Sequence, residues 1–145
     1  CGRGHRCTAV VAVVRDPASV AAAFNRPKEK EGPIHNLVNN AGVCRLGSFL
    51  DMRDDVRDFH IDINIKGVWN VTKAVVPEMI ARKDGRIVMM SSVTGDMVAD
   101  PGETGYALTN ARIVGLTKSL AVENPQSGIR VKPNCPGYVR PPMAE

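Results

Sequence analysis

Apolar and polar positions change their period several times along this chain, and the changes mark out its elements. Residues 8–14, Thr-Ala-Val-Val-Ala-Val-Val, form a continuous apolar run with no alternation. Such a run predicts a strand buried on both faces. Asp16-Pro17 then supplies an N-cap and a first-turn proline. A helix is expected through Val20, Ala23 and Phe24 to the charged stretch before Gly32-Pro33. Ile34 to Val38 reads as a second buried strand, running directly into Asn39-Asn40-Ala41-Gly42. After a loop, the period is helical from Asp51 to Arg82, softened at Gly67 and Pro77 and ended by Gly85. Arg86 to Met90 predicts a third strand, with Ser91-Ser92 at its carboxyl end. Residues 104–123 predict a further helix. Its small residues Ala107, Ala111, Gly115 and Ser119 recur every fourth position, so it can lie close to a sheet or a partner helix. Ile113, Leu116 and Leu120 supply its larger apolar contacts. Residues 129–135 complete a fourth strand before Pro136-Gly137 and a proline-rich tail.

Strand and helix alternate throughout, which predicts an α/β fold with a parallel sheet. Right-handed crossovers make that sheet doubly wound and Rossmann-like. Ligands of such sheets bind beyond the carboxyl ends of the strands. Asn39-Asn40-Ala41-Gly42, Ser91-Ser92 and Pro136-Gly137 all fall at such ends. The chain has 145 residues, enough for one domain with a core of its own. Repeats and low-complexity linkers are absent from the pattern.

Composition excludes more than it assigns. The net charge is +4, but the basic residues are scattered, and Lys28-Glu29-Lys30-Glu31 mixes both signs as a solvated helix face does. Neither a nucleic-acid partner nor a membrane partner is expected. Cys1, Cys7, Cys44 and Cys135 form no C-x-x-C pair, and His5, His35 and His60 are dispersed, so no metal site is expected. Unpaired thiols suit a reducing compartment, and a cytoplasmic location is expected.

The chemistry is carried by a set of short segments. Ser92 precedes Tyr106 by fourteen residues, and Leu37-Val38-Asn39-Asn40-Ala41-Gly42 and Ile63-Asn64-Ile65-Lys66-Gly67 stand upstream. Together these resemble the central and active-site segments of the short-chain dehydrogenase/reductase family. The resemblance extends over essentially the whole chain, from the third strand of that fold to the sixth. It implies that residues 1–145 are the central and active-site part of one Rossmann-like oxidoreductase domain. The first strand-helix-strand, with its glycine-rich pyrophosphate turn, and the last strand would then be lacking.

The family's activity is hydride transfer between NAD or NADP and a ketone or secondary alcohol. By resemblance, Tyr106 is the acid/base and Ser92 binds the substrate carbonyl, a pairing that needs no metal. Asn64 would hold a water in the proton path, partly through its main chain. Asn40, Ala41 and Gly42 would receive the cofactor, with Gly42 admitting a ribose and the Asn40 amide tying neighbouring strands. Pro136, Gly137 and Val139 would cover the nicotinamide. Relatives commonly pair their long helices between subunits, so a homodimer or homotetramer is implied.

Four positions depart from the family pattern. Val13 replaces an aspartate beside the adenine, Lys132 an asparagine, and Pro141 a threonine that holds the nicotinamide amide. Most important is Asn110, where the family has a lysine one helical turn beyond the tyrosine. That lysine lowers the tyrosine's pKa and binds the nicotinamide ribose. Arg112 lies on another face, and Lys118 stands roughly 18 Å further along the axis, so neither replaces it. Two functions therefore remain open: an NAD(P)-dependent oxidoreductase, or a non-catalytic family member acting as a binding or assembly module.

Overall fold

The computed structural model describes residues 7–123 and 126–139. In chain order it contains α1 (Pro17–Glu31), β1 (Asn36–Asn39), α2 (Asp54–His60), a π-helical segment (Ile61–Gly67), α3 (Val68–Arg82), β2 (Gly85–Met90), α4 (Thr104–Glu123) and β3 (Ile129–Asn134). The three strands form one parallel sheet in the order β1-β2-β3. This is the α/β, Rossmann-like architecture expected, in partial form.

Register explains where the core sits. Leu37 lies beside Ile87, and Ile87 beside Val131, so one buried apolar row crosses all three strands. Met89 extends the same face. Val68, Val75 and Met79 from α3 and Ile113 from α4 pack against it. Met79, Ile87 and Met89 are fully buried, each contributing about 1.5–3 kcal/mol relative to exposure. The neighbouring positions on β1 point the other way, and Val38 stays 57% exposed.

The predicted first strand is the main difference. Residues 8–14 form no ladder, and Val11 is 94% exposed. The doubly wound order 3-2-1-4-5-6 supplies the reason. The strand expected at 8–14 is the third of that fold, while β1, β2 and β3 are the fourth to sixth. Two intervening strands would have to bridge the gap, and neither lies in this sequence. The segment is held by α1 and α3 instead. The Val13 amide donates to Ser19 Oγ (2.9 Å), and Asn70 Nδ2 donates to the Val14 carbonyl (3.1 Å).

Smaller differences follow from side-chain chemistry. The second strand begins at Asn36 rather than Ile34, and the last ends at Asn134. The predicted helix at 51–82 begins at Asp54 and winds as a π-helix over Ile61–Gly67, and Pro77 is accommodated inside α3. Its end is not Gly85 but Lys83, in left-handed conformation (φ 55°). On α4 the small-residue stripe faces outward: Ala111, Gly115 and Ser119 are exposed. The buried row is Thr109, Ile113 and Thr117, with Leu116 and Leu120 packed beside it. Asp16 caps α1 as expected, its Oδ1 accepting the Ala18 amide (2.9 Å). No helix among the described residues is long and apolar enough to cross a membrane. Cys1, His5 and Pro141 lie outside the described residues, as do the side chains of Lys28, Glu29 and Lys30.

Gly128, just before β3, ties that strand to the end of α3. Its φ is +71°, and a Cβ there would stand 1.9 Å from the Lys83 carbonyl oxygen. A Cβ at Gly115 would meet nothing within 4 Å among the described residues. Gly128→Ala should therefore cost about 3 kcal/mol or more, whereas Gly115→Ala should stabilise α4 by about 0.5–1 kcal/mol. Urea midpoints at unchanged m-value check both, and equal effects of the two substitutions would contradict the packing described.

Candidate functional site

The carboxyl ends of the parallel strands open into one cleft of about 300 Å³. The turn after β1 contributes Asn40, Ala41 and Gly42 to it, and the end of β2 contributes Met90 and Ser91. Tyr106 and Asn110 reach it from one face of α4, and Pro136 from the end of β3. Asn64 enters from the π-helical segment. Widened turns of this kind recur at functional sites.

Two buried amides organise the walls. Asn39 is 6% exposed, and its Nδ2 donates to Thr72 Oγ1 (2.9 Å) and to Met89 Sδ (3.2 Å). It thereby ties β1 to α3 and β2. The tie expected of Asn40 is thus made by Asn39, because the pleat turns positions 37 and 39 inward and leaves Asn40 exposed. Asn64 Oδ1 accepts the Val43 amide (2.8 Å), while its Nδ2 donates to the Val43 carbonyl (2.9 Å) and to Thr109 Oγ1 (3.0 Å). The Thr109 hydroxyl in turn donates to the Tyr106 carbonyl (3.0 Å).

Ser91 and Ser92 differ in placement. Ser91 is buried, and its hydroxyl donates to the Asn110 carbonyl (3.1 Å), joining β2 to α4. Ser92, expected to bind the substrate carbonyl, is not among the residues that line the cleft; it is half-buried, and its Oγ accepts the Thr94 amide (3.1 Å). Its own hydroxyl hydrogen remains available to another acceptor. The loop after it is pinned at Gly95 (φ +101°), where a Cβ would meet the Ala107 carbonyl oxygen at 2.3 Å. The Ser92 loop is therefore packed on the turn of α4 next to Tyr106.

Asn110 is 3% exposed, and its Nδ2 is buried with no hydrogen-bond partner among the described residues. An unsatisfied buried donor costs about 1–3 kcal/mol. Cys44 borders the same cleft, and its thiol pKa is pushed up, first by partial burial and then by the nearby Glu103 carboxylate. Gly137 and Val139 are not brought into the cleft. They lie exposed beyond Pro136, Val139 by 74%, on a stretch without regular structure.

Several residues that shape the site carry no sequence signal of their own. Thr109 and His60 are both completely buried, yet neither belongs to a motif. For His60 the available hint is its spacing of four before Asn64, which puts both on one helical track.

A parallel sheet with a cleft at the carboxyl ends of its strands is the arrangement of a doubly wound, Rossmann-like α/β fold. The chain belongs to the short chain dehydrogenase family, whose model matches residues 2–145. It is 87% identical over all 145 residues to the oxidoreductase UcpA of Escherichia coli (strain K12), covering 55% of that protein. It is 40% identical over 132 residues to the 3-oxoacyl-[acyl-carrier-protein] reductase FabG of Thermotoga maritima, covering 91% of this chain and 53% of that protein. Among solved structures, a gluconate 5-dehydrogenase from Burkholderia cenocepacia J2315 in complex with NADP and tartrate superposes with a TM-score of 0.82. That match has 34% identity and covers 86% of this chain and 49% of the other. The chain thus spans about half the length of the curated relatives it matches.

Proposed function

We propose that residues 1–145 are the central and active-site part of one Rossmann-like domain that transfers hydride between NAD or NADP and a ketone or secondary alcohol. The observation that carries this reading is the convergence of Tyr106, Asn64, Ser91 and the Asn40–Gly42 turn on one cleft at the strand ends. When bound, the nicotinamide supplies or takes the hydride. Asn40, Ala41 and Gly42 would hold the cofactor: all three line the cleft, and a Cβ at Gly42 would already be in ordinary contact with Asn64 Oδ1 (3.5 Å). Pro136 already borders the cleft, while Gly137 and Val139, which the resemblance assigns to covering the nicotinamide, lie outside it.

In this scheme Tyr106 exchanges a proton with the substrate oxygen, and Ser92 donates its free hydroxyl hydrogen to the same oxygen. Three protein contacts occupy the Asn64 side chain. Its main chain is then the part left to hold a water. The substrate is a small carbonyl or alcohol compound, and the free thiols of Cys7, Cys44 and Cys135 suit a cytoplasmic setting.

One observation favours the non-catalytic alternative. The Asn110 amide nitrogen has no hydrogen-bond partner among the described residues, and a neutral side chain stands where the family places a cation. The alternative is a binding or assembly module on the same fold.

Assembly through the helices is part of the proposal. Ala111, Gly115 and Ser119 leave a low outer surface on α4. Beside it, Trp69, Val76, Pro77, Leu116 and Leu120 line an apolar groove of about 240 Å³ between α3 and α4. A homodimer or homotetramer of the complete protein would cover both. Sedimentation at micromolar concentration should show one of these, and a monomer throughout would contradict it.

The decisive substitution is Asn110→Lys. A unit charge at about 4 Å, in an effective dielectric near 20, favours a phenolate by about 4 kcal/mol before screening. Half of that still exceeds one pKa unit. In the full-length protein, Asn110→Lys should raise alcohol oxidation at pH 7 by roughly 10²-fold and move the basic limb of the rate profile to lower pH. Steady-state NAD(P)H formation from pH 6 to 10 measures both. Equal rates with an unmoved profile would count against Tyr106 as the acid/base.

A further inference from the structure

We infer that His60 is a positioning residue that sets the spacing between the two walls of the cleft, a role resting on the oxidoreductase reading above. His60 closes α2 and is completely buried. Its Nδ1 lies 2.8 Å from the Val56 carbonyl oxygen, and its Nε2 lies 3.0 Å from the Arg45 amide nitrogen. A carbonyl can only accept, so Nδ1 carries the hydrogen. Nε2 is then bare and accepts the Arg45 N–H. The other neutral tautomer would mismatch both contacts, setting a bare Nδ1 against a carbonyl and an Nε2 hydrogen against an amide hydrogen. The fold around His60 therefore selects one form of the ring.

The contact matters because of what Arg45 belongs to. Val43 and Cys44, the two residues before it, line the cleft. Asn64, four residues after His60, grips Val43 through both its amide and its carbonyl. Side chains at i and i+4 of one helical track thus fasten the same wall at main-chain positions 43 and 45. The opposite wall meets the same ring. A Cβ built on Gly105 would stand 3.2 Å from His60 Nδ1, so the start of α4 lies directly against the imidazole. Tyr106 is the next residue. His60 is consequently a spacer between the Val43–Arg45 wall and the tyrosine wall, and it is not among the residues that line the cleft.

Three measurements on the full-length protein test this. In the wild type, nitrogen NMR of labelled histidine should show His60 with Nδ1 protonated and Nε2 a hydrogen-bonded acceptor. Hydrogen exchange of the Arg45 amide should accelerate about tenfold or more in His60→Leu. His60→Gln keeps an acceptor oxygen and should restore most of that protection. Carbonyl reduction should follow the same order, with kcat falling in His60→Leu and recovering in His60→Gln while KM for the cofactor stays unchanged. An Nε2-protonated ring in the wild type would overturn the assignment even if His60→Leu fails to fold. So would unchanged Arg45 exchange in a folded His60→Leu protein. Loss of all NAD(P)-dependent turnover in the wild type would instead refute the oxidoreductase reading, since tautomer and exchange report on the ring without any catalysis.

Discussion

The Asn64 amide is the constraint on which the cleft depends. It lies 3% exposed, in a π-helical turn, and joins the loop after β1 to the second turn of α4. Both of its donor hydrogens are used, and its oxygen accepts a third bond. Each such bond is worth about 0.5–1.5 kcal/mol net, but stranding any of these groups in the interior costs more. Thr109 passes the connection on to the Tyr106 carbonyl. A valine of the same shape could not do so, because the relay needs one hydroxyl that accepts and donates together. Placement of Tyr106 relative to the Asn40–Gly42 turn thus rests on a continuous polar path through otherwise apolar packing.

That path works only because the sheet brings its ends together. Parallel pairing puts the carboxyl ends of β1, β2 and β3 on one side, and the row Leu37–Ile87–Val131 fixes their register. Slipping any strand by one residue would turn its apolar positions away from α3 and α4. Asn39 reinforces the register from within the core by binding α3 and β2 at once. The cleft is therefore a consequence of packing on one face of the sheet, with polar groups placed where the strands stop.

Much of this was legible in the sequence, and what was not has physical causes. Alternation of apolar runs and helical periods identified α1, α3, α4 and all three paired strands to within a few residues. The motifs around Ser92 and Tyr106 identified the family. The run at 8–14 looked like a strand because apolarity records a need for burial, not the presence of a pairing partner. The stripe Ala107, Ala111, Gly115 and Ser119 left open which side it served, because small residues suit a sheet and a partner helix equally. Asn39 and Asn40 are adjacent and identical, and only the pleat distinguishes the buried one. His60 offered only its spacing to Asn64 as a hint, because its partner is a backbone amide fifteen residues earlier, and backbone groups leave no trace in side-chain patterns. Asn110 was recognisable as a departure, but its unpartnered nitrogen is a property of the folded surroundings.

The most direct measurement is a double-mutant cycle between Asn64 and Thr109 in the full-length protein. Urea unfolding of Asn64→Ala, Thr109→Val and the double variant gives the coupling between the two side chains. A continuous buried path predicts a coupling of about 1 kcal/mol or more, within the range seen for residues sharing one hydrogen-bond network. Additive effects, with coupling indistinguishable from zero, would contradict the claim that this amide joins the two walls of the cleft.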